Sequence, residues 1–175
     1  SGTLTVASAK TVTSNKSDVT LTAWDLDLDG SLTAGTQTLS IHGAKEAQTI
    51  GLGATAANMH VSELEFGRLT TVSGLRVATT LGGSITVHGM PESSSNAINS
   101  IVSIFAVHDD SSVTFELRGS TFNSLVAQAD NGVLVQADIT TDVGVLTLDG
   151  DSDSSSIDDD HNKIAFSGAR TLTAK

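Results

Sequence analysis

Leu39-Ser40-Ile41-His42-Gly43 and Ile85-Thr86-Val87-His88-Gly89 share one pattern, in which apolar and polar residues alternate twice before a glycine. The same pentad occupies residues 26–30, 115–119 and 146–150, and a near copy with alanine at the first polar place occupies residues 164–168. Because successive side chains of a strand point to opposite faces, both apolar residues of a pentad lie on one face. Glycine then lets the chain bend. The pattern predicts short β-strands with one buried face, separated by turns.

The apolar residues of the five full pentads are therefore the predicted core. They are Leu26, Leu28, Leu39, Ile41, Ile85, Val87, Phe115, Leu117, Leu146 and Leu148. Residues 3–6, 19–22, 133–135 and 171–173 alternate in the same way and predict further strands. The spacing between pentads is uneven, so we expect turns of different lengths.

Composition excludes several classes of function. The net charge is −11, which argues against binding to nucleic acid or to an anionic membrane surface, since both require basic patches. Aromatic residues are only 3% of the chain, so the core must be aliphatic. There is no cysteine, and stability therefore has to come from a continuous core or from association.

Two segments depart from the strand pattern. Ser62 and Glu65 have the spacing of a helix capping box, and Phe66 and Leu69 follow, so a helix of one or two turns is predicted there. Residues 91–99 contain the single proline and are mostly polar, which predicts a loop that leaves the regular body.

The two ends of the sequence resemble each other. Residues 9–13 (AKTVT) match residues 169–173 (ARTLT) 160 positions later. Repeats that stack on a continuous core are typical of solenoid proteins. We therefore interpret residues 1–175 as a single β-solenoid segment and as one unit of a longer tandem array.

Residues 48–53 (QTIGLG) and 59–70 (MHVSELEFGRLT) resemble a recurrent unit of giant repetitive surface proteins. Residues 146–153 (LTLDGDSD), 164–166 (IAF) and 170–173 (RTLT) resemble another segment of the same arrays. Such arrays occur in filamentous-haemagglutinin-like bacterial adhesins and in large repeat proteins of algae and other protists. The resemblance covers about half of the chain. It implies a parallel β-helix in an extended extracellular molecule and transfers no catalytic residue.

The predicted fold is thus an all-β, right-handed parallel β-solenoid with one short helical turn. The predicted function is structural, as a module of an extracellular or cell-surface fibre or adhesin stalk. Its expected partners are neighbouring repeats or copies of the same protein, together with surface polysaccharide. No nucleic acid and no membrane insertion are expected.

Acidic clusters are the candidates for a metal site. Asp149, Asp151, Asp153, Asp158, Asp159 and Asp160 lie within twelve residues of a serine-rich segment. Carboxylates on such a loop suit Ca²⁺, and a solvated acidic loop is the competing interpretation. Asp25, Asp27 and Asp29 imitate the start of an EF-hand loop, but Thr36 stands where the last glutamate ligand is needed. No other cofactor is expected.

Catalysis is not predicted. The sequence has no Gly-x-Ser-x-Gly elbow, and no cysteine or helical histidine pair completes a zinc site around the five histidines. His42 and His88 share a pentad position, and in a solenoid this position could stack them on one exposed face; separate exposed histidines at strand ends are the favoured interpretation. Trp24 is the only tryptophan and offers little support for a sugar platform. A polysaccharide-active enzyme is therefore the least favoured of the alternatives.

Threonine pairs give the last alternative. They occur at Thr3/Thr5, Thr11/Thr13, Thr20/Thr22, Thr36/Thr38 and Thr171/Thr173. Threonine is a good outward strand residue in any β-protein. Ranked on a flat solenoid face, however, these hydroxyls would suit a binding module for carbohydrate or ice.

Overall fold

Short strands form most of the regular structure in this computed structural model, which describes residues 2–14, 17–79, 82–154 and 162–175. In chain order the strands are β1 (Thr3–Val6), β2 (Thr11–Thr13), β3 (Val19–Ala23), β4 (Asp25–Leu28), β5 (Ser31–Gly35), β6 (Leu39–Gly43), β7 (Ile50–Gly53), β8 (Met59–Val61), β9 (Leu69–Thr71), β10 (Leu75–Ala78), β11 (Ile85–His88), β12 (Val102–Ala106), β13 (Val113–Phe115), β14 (Ser120–Phe122), β15 (Leu125–Ala129), β16 (Val133–Val135), β17 (Ile139–Thr141), β18 (Leu146–Asp149), β19 (Ile164–Phe166) and β20 (Leu172–Ala174). Helices α1 (Glu63–Phe66) and α2 (Glu92–Ser95) interrupt them. Neither described helix approaches the length needed to cross a bilayer.

The protein is all-β, and each strand pairing in the described part of the chain is parallel. The first six-stranded sheet has the order β18-β15-β12-β10-β6-β3, and the second has the order β19-β16-β13-β11-β7-β8. Two three-stranded sheets, β2-β5-β9 and β14-β17-β20, and the pair β1-β4 complete the strands. The parallel character predicted from the sequence is confirmed.

Apart from β7 and β8, consecutive strands among the described residues belong to different sheets. From β12 onward, each strand pairs with the strand three places later, so that β12 pairs with β15, β13 with β16 and β14 with β17. The next three pairings, β15-β18, β16-β19 and β17-β20, repeat that order. The chain therefore visits the three sheets in a fixed rotation in this half.

One strand is stacked out of chain order. β8 follows β7 in sequence but pairs with it on the side away from β11, and it contacts β4. The loop between β7 and β8 folds over Gly51, where an added Cβ would collide with the carbonyl oxygen of Thr55. A side chain at Gly51 would therefore displace this loop.

A single apolar cluster connects the sheets from Val6 to Ile139. Its side chains stack in register: Leu39, Leu75, Val102 and Leu125 occupy one row of the first sheet and are at most 1% exposed. Stacking of like aliphatic residues buries apolar surface at every step, and this burial is the main stabilising term.

The pentads mark this core at most positions. Leu26, Leu28, Leu39, Ile41, Ile85, Val87 and Phe115 are buried, as predicted. Leu146 and Leu148 are only partly buried and pack against the cluster. The difference has a simple cause, because both lie on β18, the last strand of its sheet.

The prediction that Leu117 is buried is wrong. Its side chain is 74% exposed, although it occupies the second apolar place of a pentad. Strand β13 ends at Phe115, and Leu117 has a φ of 60° inside a tight turn that the Arg118 N–H closes on the carbonyl of Glu116 at 2.7 Å. The left-handed conformation breaks the alternation and turns the side chain outward.

Helix α1 confirms the capping-box prediction. The Glu65 N–H donates to Ser62 Oγ at 3.3 Å, and the Ser62 N–H donates to Glu65 Oε2 at 2.9 Å. The other carboxylate oxygen of Glu65 accepts from the Leu28 N–H at 3.1 Å, which ties the helix to β4. Phe66 is fully buried, so the helix belongs to the core.

Residues 91–99 do not form the excursion that the sequence predicted. The segment contains α2, and Ile98 forms an isolated parallel bridge with Thr71, the last residue of β9. Ile98 and Met90 are both fully buried. The segment was predicted as a loop because most of its residues are polar, but the buried Ile98 attaches it to the core.

Candidate functional site

The acidic segment begins at the end of β18, on the edge of the first sheet. Both carboxylate oxygens of Asp149 accept hydrogen bonds from the protein: Oδ2 from Gln128 Nε2 at 3.0 Å and Oδ1 from the Asp151 N–H at 3.3 Å. The Ser152 N–H donates to the carbonyl of Ala129 on the neighbouring strand at 3.1 Å. The start of the loop is therefore fixed to the sheet.

The next two residues along this segment have buried side-chain oxygen atoms. Asp151 Oδ1 and Ser152 Oγ have no hydrogen-bond partner among the described residues. Within the described ranges, no group of three or more histidine, cysteine, aspartate or glutamate side chains is placed to hold a metal ion. Asp158, Asp159 and Asp160 lie outside the described residues, so the calcium site stays a prediction.

The second acidic motif is part of an ordinary strand. Asp25 and Asp27 alternate with the buried Leu26 and Leu28 on β4. Asp25 Oδ1 accepts from the His60 N–H at 3.0 Å, and Asp27 Oδ2 accepts from Thr5 Oγ1 at 3.4 Å. Because an extended strand spaces these carboxylates along one face, they do not converge as EF-hand ligands do.

Histidines at the shared pentad position do not stack. His42 lies on β6 of the first sheet, and His88 lies on β11 of the second, so the stacked alternative is excluded. His60 hydrogen-bonds the carbonyl of Gly53 through Nε2 at 2.7 Å and has a structural role. His161 lies outside the described residues.

His42 has an environment that favours its neutral form. Partial burial lowers the pKa of the imidazole, and the positive charge of Arg76 lowers the pKa further. Arg76 stacks over the ring of Phe105, with 4.8 Å between the guanidinium carbon and the ring centroid. Phe105 and His42 flank Ala78 in register, so these four residues form one packed patch on the outer face of the first sheet.

Threonines form two short outward rows on the three-stranded sheets. One row is Thr13, Thr33 and Thr70; the other is Thr121, Thr140 and Thr173. On the first sheet, Thr20 is followed by Ser40 and Arg76, which ends the row. Among the described strands, the threonine rows are therefore only three residues long. Four of their members were missed because they lie outside Thr-x-Thr pairs in the sequence.

An open depression lies beside the turn between β4 and β5, with a volume of about 310 Å³. Its polar lining consists of Lys10, Thr11, Asp29, Ser31 and Arg68. Arg68 donates to the carbonyl of Leu28 and lies 3.8 Å from Asp29 Oδ1. Donors and acceptors are mixed in this lining, which is the chemistry that sugar hydroxyls require.

Gln48 is a structural residue that sequence analysis missed. It is 1% exposed, and its Oε1 accepts from the N–H groups of Ala44 and Lys45 at 2.8 and 3.1 Å. Its Nε2 donates to the carbonyls of Ala23 and Trp24 at 3.1 and 2.8 Å. One side chain thus satisfies polar groups of two successive corners. Nothing in the local sequence distinguishes Gln48 from an exposed glutamine, because its partners lie up to 25 residues away.

Fold and surface together define a parallel-strand all-β protein with a continuous, mainly aliphatic core. Comparison with protein-family models, with curated proteins and with solved structures gave no significant match for this chain. The resemblance to surface-protein repeats therefore remains a prediction from the sequence.

Proposed function

We propose that the chain is a right-handed parallel β-solenoid that acts as a rigid structural module of an extracellular or cell-surface fibre or stalk. The observation that carries the proposal is the fixed rotation of consecutive strands among three sheets, with each strand pairing in parallel with the strand one rotation later. A chain that winds around one core generates this order. Crossovers between parallel strands are right-handed in nearly all proteins, which supports the proposed handedness.

Rigidity follows from the way the layers are joined. Each layer is tied to the next by backbone hydrogen bonds and by buried aliphatic rows, so no layer moves without breaking both. Outward positions of the first sheet carry a mixture of hydroxyl, charged and apolar residues, which suits a spacer better than a specific binding face. Surface charge keeps such a module soluble.

The experiment measures rigidity directly. Thr20 and Thr147 occupy the same outward row of the first sheet, at its two ends. Spin labels on T20C/T147C are separated by five strand spacings of about 4.8 Å, or about 24 Å along the stack. The chain has no native cysteine, so the labels attach only there. A single narrow distance distribution near this value is expected. A broad distribution, or one centred far away, would overturn the rigid-spacer function.

Carbohydrate binding is the second candidate, and the depression lined by Lys10 and Arg68 favours it. A mixed donor and acceptor lining of this size fits one or two sugar rings better than a metal ion. Screening the protein against immobilised neutral and acidic polysaccharides tests this function. Binding that is lost in K10A and retained in K45A would support it, while absence of binding to all of them would remove it.

A further inference from the structure

One corner between the first and second sheets collects buried oxygen atoms from three successive layers. The segments that form it connect β12 to β13, β15 to β16 and β18 to β19. We name this cluster the polar corner. Its members are Ser111, Asp130, Asn131, Asp151, Ser152 and Asn162.

Strand register places three members of the polar corner at equivalent positions. β13, β16 and β19 pair in register, and Ser111, Asn131 and Asn162 each lie two residues before the first residue of one of these strands. The Asn131 N–H donates to the carbonyl of Ser111 at 2.8 Å, and the Val133 N–H donates to the carbonyl of Lys163 at 3.0 Å. The stacking therefore continues from the strands into the corner, with about 4.8 Å between layers.

Two carboxylates enter the same corner from the first sheet. β15 and β18 pair in register, and Asp130 and Asp151 follow the end of that pairing at equivalent positions. The Ser152 N–H donates to the carbonyl of Ala129 at 3.1 Å, which keeps Asp151 next to the layer of Asp130. Asp130 is 2% exposed, and its Oδ2 accepts from the Asp110 N–H at 3.0 Å. Because little water screens charges in a buried corner, neighbouring carboxylates there favour a bound cation.

The corner also contains side-chain oxygen atoms that are buried and lack a hydrogen-bond partner in the part of the chain that the structure describes. They are Ser111 Oγ, Asn131 Oδ1, Asp151 Oδ1, Ser152 Oγ and Asn162 Oδ1. Ser111 as a whole is only 1% exposed. Burial of an oxygen acceptor without a partner costs free energy. A group of such atoms in one place therefore indicates a ligand that interacts with oxygen.

The acidic segment closes on itself at this corner. A Cβ added to Gly150 would lie 2.3 Å from the carbonyl oxygen of Lys163, so these two residues are in contact across the segment. Asp151 and Asn162 are the next residues on either side of that contact and are held close to each other. Asp153, by contrast, is exposed. The structure thus favours the base of the acidic segment, rather than its more distant carboxylates, as the place for a cation.

We propose that the polar corner binds one Ca²⁺ ion. Its donors are two carboxylates, two amide carbonyls and two hydroxyls, and Ca²⁺ takes about six to eight hard oxygen ligands in flexible geometry. The two carboxylates balance the charge of the ion. Most of the donors are neutral, so the site differs from a cluster of three acidic or histidine side chains. It is independent of the rigid-spacer function, because it concerns one corner and not the whole stack.

The test measures Ca²⁺ binding by titration calorimetry on chelator-treated protein. For the wild type we expect one site with a Kd of about 10⁻⁴–10⁻³ M, the range of weak calcium modules. D151N and N131A each remove a ligand, from different layers, and should weaken Ca²⁺ binding by about tenfold or more. D153N is the matched control, since it removes the same charge from an exposed side chain, and it should change the affinity by less than about twofold.

N131D gives a response that a purely structural role of Asn131 would not give. The substitution keeps the shape of the side chain and adds a third carboxylate. It should tighten Ca²⁺ binding by about fivefold or more, and it should lower the melting temperature measured in chelator. If N131A does not fold, as judged by far-UV circular dichroism, N131D decides alone, and an affinity no higher than that of the wild type contradicts the site.

Two other results would overturn the proposal. The first is the absence of binding heat and of any rise in melting temperature up to about 10 mM Ca²⁺, tenfold above the expected range; the buried oxygens then bind water. The second is equal weakening by D153N and D151N with N131A unchanged, which would place the ion in the acidic segment instead of the corner.

Discussion

Leu28 and Leu117 occupy the same place in two pentads but have opposite environments. Leu28 is fully buried, whereas Leu117 is 74% exposed. Replacing each with alanine removes the same three carbons. The pair therefore measures how much stability the inward rows provide, with the chemistry of the substitution held constant.

For L28A, the lost transfer free energy is about 2.4 kcal/mol, at about 0.8 kcal/mol for each buried carbon. The cavity that remains raises the cost, so we expect L28A to lower the free energy of unfolding by about 3–4 kcal/mol. For L117A, only about a quarter of the side chain is removed from water, and the expected loss is about 0.6 kcal/mol or less.

Urea unfolding measures both values, with far-UV circular dichroism and the fluorescence of Trp24, the only tryptophan, as separate probes. Coincident transitions and equal slopes in the variants verify that the free energies are comparable. If L117A lowers the free energy of unfolding as much as L28A does, Leu117 is buried in solution and the chain does not form the turn described after β13. If L28A costs less than about 1 kcal/mol, the inward rows are not the main source of stability.

Three further outcomes are expected. Q48A removes four hydrogen bonds to two corners and should lower the free energy of unfolding by about 2–4 kcal/mol. Q37A is the control, because the side-chain amide of Gln37 donates to the exposed Thr36, and it should change the free energy of unfolding by less than about 0.5 kcal/mol. Equal urea midpoints for the two variants would contradict the role of Gln48. Because the pKa of His42 is lowered in the folded state, the unfolded chain binds more protons than the folded chain once the pH falls below about 6.5. Stability should therefore fall as the pH drops from about 6.5 toward the folded-state pKa. H42Q should flatten this dependence in urea midpoints measured from pH 7 to 5. For the predicted calcium loop, millimolar Ca²⁺ should raise the melting temperature and a chelator should reverse the rise, with D151N abolishing it; an unchanged temperature leaves a solvated acidic loop.

Local sequence rules predicted what depends on local geometry. Alternation in the pentads identified Leu39, Ile41, Ile85 and Val87 as buried, because a strand's two faces follow from backbone geometry alone. The capping box identified α1, since both hydrogen bonds join residues three apart. These predictions needed no knowledge of the partner strands.

Predictions that required partners were less successful. His42 and His88 share a motif, but the turn lengths between strands decide which sheet each strand joins, and those turns vary too much to count from sequence. Leu117 fits the pentad, but the strand ends at Phe115 and Leu117 itself adopts the left-handed conformation in the turn that follows. Gln48 is defined by carbonyl groups up to 25 residues away, which no local pattern encodes.

Register and spacing obey different constraints in this molecule. The pentads are unevenly spaced along the chain, yet the described strands pair in continuous register, apart from one shift between Thr33 and Gly35 of β5. A parallel ladder fixes only the residues within the strands, because the connecting turns lie at the corners, where extra length projects into solvent. Insertions such as the acidic segment after β18 can therefore change the surface without disturbing the core.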